Sequence, residues 1–136
     1  MSMLRLDLKE LPEEMERELQ LIKPDEAVLA DPVAAQVDAY NAHDLKRFLS
    51  CFDPNVVFEN ADGEKLFAGH GELSRVYAGV FGTESLSCEV VNRIQLNQWV
   101  VDEQKVTGLA GDKSEETVIV VYQVANGLIS RVKLLR

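Results

Sequence analysis

The chain has 136 residues, 46% of them hydrophobic and 27% charged, which supplies enough apolar material for one core and too much for intrinsic disorder. With 14 Lys and Arg against 23 Asp and Glu the net charge is −9, so the molecule as a whole attracts neither phosphate backbones nor anionic lipid, and nucleic acid and membrane are not expected partners. No run approaches a membrane span and the N-terminal stretch is acidic where a signal peptide is basic, which predicts a cytoplasmic protein.

Residues 1–31 stand apart. Leu11, Met15, Leu19 and Ile22 recur at helical spacing through a charged run that Pro24 stops, predicting an N-terminal amphipathic helix and a linker. A folded domain is expected over 32–136. Asp31-Pro32 is a favourable helix start, since proline at the first helical position lacks only an amide that would have no intrahelical acceptor. Val33, Val37 and Tyr40 mark the face of that helix. Asn41, His43 and Asp44 form a break, Leu45, Phe48, Leu49 and Phe52 continue on a second helix, and Asp53-Pro54 ends it.

The next segment, 55–60, reads as a strand, Ala61-Asp62-Gly63 as a turn and 65–68 as a short return strand. Leu73, Val76, Tyr77, Val80 and Phe81 repeat at threes and fours on a third helix, with Gly82 placed to cap it. Four strands follow at 86–96, 99–109, 116–125 and 128–135, with turns at Asn97-Gln98, Gly111-Asp112 and Asn126-Gly127. Helices first and a long antiparallel meander last specify an α+β layer. The run Thr117 to Val121 is apolar at successive positions, so both faces of that strand should be covered; helices can cover one, and the open face predicts a homodimer.

Cys51 and Cys88 lie far apart in apolar surroundings and read as buried thiols, while His43 and His70 are the only imidazoles. His70 sits at a helix start, where it suits a structural role, and His43 in a helix break, where an exposed turn residue is expected. No metal site is expected, and with no phosphate-binding glycine loop or nucleophile elbow no cofactor is expected either.

The stretches DAYNAHDLKRFLSCFDPNVVFENADG and AGHGELSRVYAGVF, with NQWVVDEQKVTGLAG and the ending VYQVANGLISRVKLLR, resemble the SnoaL-like, nuclear transport factor 2-like and ketosteroid isomerase-like group. The resemblance covers residues 32–136. It implies a cone-shaped, curved, mostly antiparallel sheet wrapped on N-terminal helices around a small-molecule pocket. This scaffold hosts isomerases, dehydratases, cyclases, hydrolases and non-enzymatic binding modules, so it does not choose an activity.

Ketosteroid isomerase chemistry needs a carboxylate base and two donors to an enolate oxygen. Carried onto this chain, the base falls on Asn60, one donor near Gln36 and the other near Val121, so that chemistry is disfavoured. Tyr77 does match a pocket tyrosine on the third helix.

Gln36 and Tyr40 are one turn apart and share a face that the resemblance turns into the cone. On the strand after Trp99, Glu103 and Lys105 read as an exposed pair, which turns Val100, Asp102, Gln104 and Val106 inward. A carboxylate held in an apolar cone can serve as acid or base near neutral pH, so Asp102 is the candidate catalytic residue, assisted by Tyr40 or Tyr77. Phe58, Asn60, Tyr77, Phe81 and Tyr122 complete the expected ligand-binding wall with Gln36, Tyr40, Asp102 and Gln104. The expected occupant is a small hydrophobic or polycyclic molecule, with cofactor-independent isomerase, lyase or cyclase chemistry as one reading and a non-catalytic binding or interaction module as the other.

Overall fold

The computed structural model describes residues 32–109 and 114–136. The helix expected within 1–31 and the turn at Gly111-Asp112 lie outside the described residues. Helix α1 spans 32–41, with Pro32 at its first position as its fixed φ favours. Helix α2, Leu45–Ser50, is capped by Asp44, whose carboxylate accepts from the Arg47 amide. The order then runs β1 (Phe52–Asn60), β2 (Lys65–Ala68), α3 (Gly69–Val80), β3 (Ser87–Leu96), β4 (Trp99–Thr107), β5 (Glu115–Ala125) and β6 (Leu128–Leu135).

One departure from the expected elements lies at Phe52. The sequence places it on the second helix, but the helix ends at Ser50 and Phe52 opens β1. The cause is long-range: the Ile129 amide donates to the Cys51 carbonyl and Phe52 pairs with Ile129, so β6 recruits this residue into the sheet. Asp53 and Pro54, expected as a stop, are carried inside the strand.

All six strands form one sheet in the order β2-β1-β6-β5-β4-β3. Only β1 with β6 is parallel; the other four pairings are antiparallel, giving the mostly antiparallel α+β sheet expected. Asn126-Gly127 joins β5 to β6 with both residues at positive φ (54° and 76°), the two-residue turn whose twist matches the strands it links.

Helix α3 packs on β1 and β2, and the end of α1 is tied to the far side of the sheet by side chains. Asn41 both donates to the Cys88 carbonyl (2.9 Å) and accepts from the Cys88 amide (2.7 Å), acting as one more rung beside β3. His43, at φ 53° in the break after α1, pairs with the Leu86 carbonyl at 2.9 Å. It is therefore half-buried and tied down where an exposed turn residue was expected. His70 bonds the Phe52 carbonyl at 2.8 Å, the structural role expected of it near a helix start.

The inner sheet face and the helices enclose the core. Residues on β4 and β5 alternate strictly: Val100, Asp102, Gln104 and Val106, then Val118, Val120, Tyr122 and Val124, are buried. Ile119 and Val121 on the other face are only partly covered, so among the described residues β5 has one fully covered face where the apolar run predicts two.

Candidate functional site

Between helices and sheet lies a cavity of about 290 Å³. Its floor is the inner face of the central strands, with Gln104 and Val106 from β4, Val118, Val120 and Tyr122 from β5, and Val132 and Leu134 from β6. Its roof is Gln36, Val37 and Tyr40 from α1 with Phe48, Val76, Tyr77 and Val80; Phe52, Phe58 and Phe67 close one side. Exposed Leu66 and Val76, with Arg136, stand on its open side. Arg136 is held there by Glu116 at 2.7 Å.

The wall is apolar with few polar groups, and among the described residues it carries no side-chain carboxylate and no imidazole. Its polar atoms come from three tyrosines, two glutamines, Cys88 and Arg136. Tyr40, Tyr77 and Tyr122 are the only tyrosines in the chain, and all three line this one space. Burial raises each phenol: Tyr77 is pushed up to about 12, and Tyr40 and Tyr122 rise further, Tyr122 with help from the nearby Asp102 charge. At neutral pH all three are O–H donors. Burial also pushes the Cys88 thiol up to about 11, which leaves it protonated and a poor nucleophile.

A chain of hydrogen bonds leads from the cavity into the sheet. Gln36 Nε2 donates to the Tyr122 hydroxyl at 2.8 Å, and Gln104 Nε2 donates to it at 3.0 Å. The same Gln104 nitrogen donates to Asp102 Oδ2 at 3.2 Å. Asp102 accepts two further bonds from Arg93, at 2.7 Å from Nε and 2.8 Å from the terminal nitrogen, the paired geometry in which guanidinium and carboxylate bind best. That hydrogen bond raises Arg93 above its already high ordinary value and keeps it charged.

The structure therefore separates the residues that the sequence grouped. Gln36, Tyr40, Phe58, Tyr77, Gln104 and Tyr122 are brought together on the cavity wall. Asp102 is inward as expected and fully buried, but it is absent from the wall and both its oxygens are engaged by Arg93 and Gln104. The apolar surroundings that would make it a free acid or base are not there. Asn60 is also absent from the wall: its Oδ1 accepts from the Asp62 and Glu64 amides, at 3.0 Å each, and shapes the β1–β2 turn. Phe81 lies behind the wall, edge-on to Tyr40 at 5.4 Å and stacked on His43 at 6.2 Å.

The residue that sequence reasoning missed is Arg93. Its partner lies across the β3–β4 pair, and a bulge between Val90 and Asn92 shifts the register so that Arg93 faces Asp102. Glu59 illustrates the opposite phase: on the outer face it is held by Arg131 at 3.1 Å and Lys133 at 3.7 Å, away from the cavity.

Several solved structures share this architecture. A cystatin-fold protein of Novosphingobium aromaticivorans is 22% identical with a TM-score of 0.71, covering 79% of this chain and 97% of that one. A nuclear transport factor 2-like protein of unknown function from Cytophaga hutchinsonii is 13% identical with a TM-score of 0.66, covering 78% and 87%. An epoxide hydrolase of M. tuberculosis is 16% identical with a TM-score of 0.69, covering 82% and 84%. At these identities the likeness is one of fold. No curated protein matches the sequence. The sequence itself matches the SnoaL-like domain over residues 33–132, most of the described sheet and its helices, and the chain belongs to the SnoaL-like domain family.

Proposed function

We propose that this protein binds an uncharged, mostly apolar small molecule in the cavity beneath α1 and α3. The observation that carries this reading is the composition of the wall: aliphatic and aromatic side chains with a few neutral polar groups, three of them phenols that burial keeps protonated. A bound anion would find only Arg136, already paired with Glu116, and a bound cation would find no side-chain carboxylate among the described lining residues. Any reaction in this space would be cofactor-independent, of the isomerase, lyase or cyclase kind. Phenolic donors would polarise an oxygen of the bound molecule, and Asp102 would not be the base. The likeness in fold to an epoxide hydrolase supports small-molecule chemistry as compatible with such a cone.

A second reading is a non-catalytic interaction module. It is favoured by the missing base and by the apolar outer sheet face, where Ile94, Leu96 and Trp99 are exposed. That face also supports a homodimer, and the free thiols of Cys51 and Cys88 suit a cytoplasmic setting.

A thermal-shift screen against neutral steroids, polyketide-like aromatics and terpenoids, with small acids as the contrasting class, decides between the readings. Ligand at about a hundred times Kd stabilises by about 2.7 kcal/mol, a rise of a few degrees in Tm for a chain of this size. Selective shifts with neutral compounds are expected. Absence of a shift throughout would favour the interaction module, and shifts with the acids alone would overturn the preference for uncharged ligands.

A further inference from the structure

The hydrogen-bond chain that ends in the cavity has a direction, and the direction is set outside the cavity. Asp102, paired with the permanently charged Arg93, can only accept, so the Gln104 amide atom facing it must be the NH2 group. That nitrogen has two hydrogens. One goes to Asp102 and the other to the Tyr122 oxygen. Gln36 donates to the same oxygen, so both lone pairs of the Tyr122 hydroxyl are taken by amides and its own proton has to leave the group in another direction. Tyr122, Gln36 and Gln104 all line the cavity. Gln36 presents its amide nitrogen to that oxygen at 2.8 Å, so the Tyr122 proton points away from both amides.

We infer that the pair of half-buried Arg93 and buried Asp102 acts through Gln104 to fix the Tyr122 hydroxyl as a hydrogen-bond donor to the ligand, so that the cavity selects neutral molecules bearing an oxygen acceptor, such as a ketone, over their hydrocarbon counterparts. Arg93 and Asp102 are positioning residues, since neither touches the cavity. Without the pair, the Gln104 amide is free to rotate, accept the Tyr122 proton and withdraw the donor. The inference rests on the proposed binding role of the cavity and adds the class of ligand and the residues that set it.

The test compares benzophenone with its isostere in which a methylene group replaces the carbonyl oxygen, each titrated into the full chain by NMR. The wild-type protein should bind benzophenone about fivefold more tightly, the worth of one net hydrogen bond. Tyr122→Phe should bring the two affinities within about twofold of each other by weakening benzophenone alone. Arg93→Met combined with Asp102→Leu, which removes the pair without stranding a buried charge, should reduce the preference in the same way with the isostere's affinity unchanged. A residue of merely structural importance would weaken both compounds together. Equal binding of the two by the wild-type protein, or a preference that survives either variant, would overturn the assignment. Should Tyr122→Phe bind neither compound, the ion-pair variant decides on the same ratio. Failure of the wild-type protein to bind either compound would defeat the binding reading itself.

Discussion

Because Tyr40, Tyr77 and Tyr122 are the whole tyrosine complement and all line one cavity, an alkaline titration of phenol absorbance reports on that cavity alone. Burial holds the Tyr77 phenol up to about 12 and the other two beyond it, so the native protein should show almost no tyrosinate at pH 11, where an ordinary phenol at 10.0 is mostly ionised. A native titration centred near 10 would place these hydroxyls in open solvent. The linked effect on stability has a definite sign. The folded chain holds the Cys88 and tyrosine protons more tightly than the unfolded chain, whose thiols and phenols ionise at 9.0 and 10.0. Stability is therefore fully retained below pH 9 with respect to these groups and falls as pH rises through 11 and 12. Tyr77→Phe should flatten the upper part of that decline in Tm. At this scale the sequence was informative about which side chains face inward: Gln36 and Tyr40 share a helix face and Gln104 follows from the exposed Glu103–Lys105 phase. It was silent on what each inward residue touches, and so Asp102 reads as a free carboxylate until Arg93 is seen across from it.

The elements were legible where their signals are local. Alternation and the Asn-Gly turn locate β5 and β6, and the apolar repeat locates α3. They were illegible where distant chain decides, as at Phe52, which β6 draws into β1, and at the β3 bulge, where one extra residue puts Arg93 rather than Asn92 opposite Asp102. A tight approach at the end of β4 has the same long-range origin. Gly108 has φ +89°, and a Cβ there would lie 2.8 Å from Ser85 Oγ and 2.9 Å from the Leu86 amide nitrogen, which is backbone and cannot yield. Leu86 is buried and its carbonyl anchors His43, so displacing it disturbs the junction of α1 with the sheet. Gly108→Ala should cost about 2 kcal/mol or more in denaturant unfolding, from strain and contact together. A change under about 0.5 kcal/mol would show that this junction moves freely.

For the molecule as a whole, the sheet divides two roles. Its inner face holds the cavity; its outer face aligns Leu96, Trp99 and Gln123 in one row and Ile94, Val101 and Val121 in the next, flanked by Arg131 and Lys133 on β6 and Glu103 on β4. A second copy packed face to face would cover the apolar rows. Sedimentation of the wild-type chain should give a dimer and Val101→Glu a monomer; a wild-type monomer at micromolar concentration would remove this proposal without touching the cavity. The unbroken apolar run on β5 made an apolar outer face legible in the sequence, and Ile94, Leu96 and Trp99 exposed beside it extend that face across β3 and β4.

Whether the inner cavity or the outer face receives the small molecule is decided by titrating benzophenone into protein carrying labelled valine, leucine and isoleucine methyl groups. Saturable shifts are expected at Val37, Val106, Val118, Val120 and Val132 on the cavity wall, with Ile94, Leu96 and Val121 on the outer face unmoved. Shifts confined to the outer-face methyls, or none at all, would contradict it.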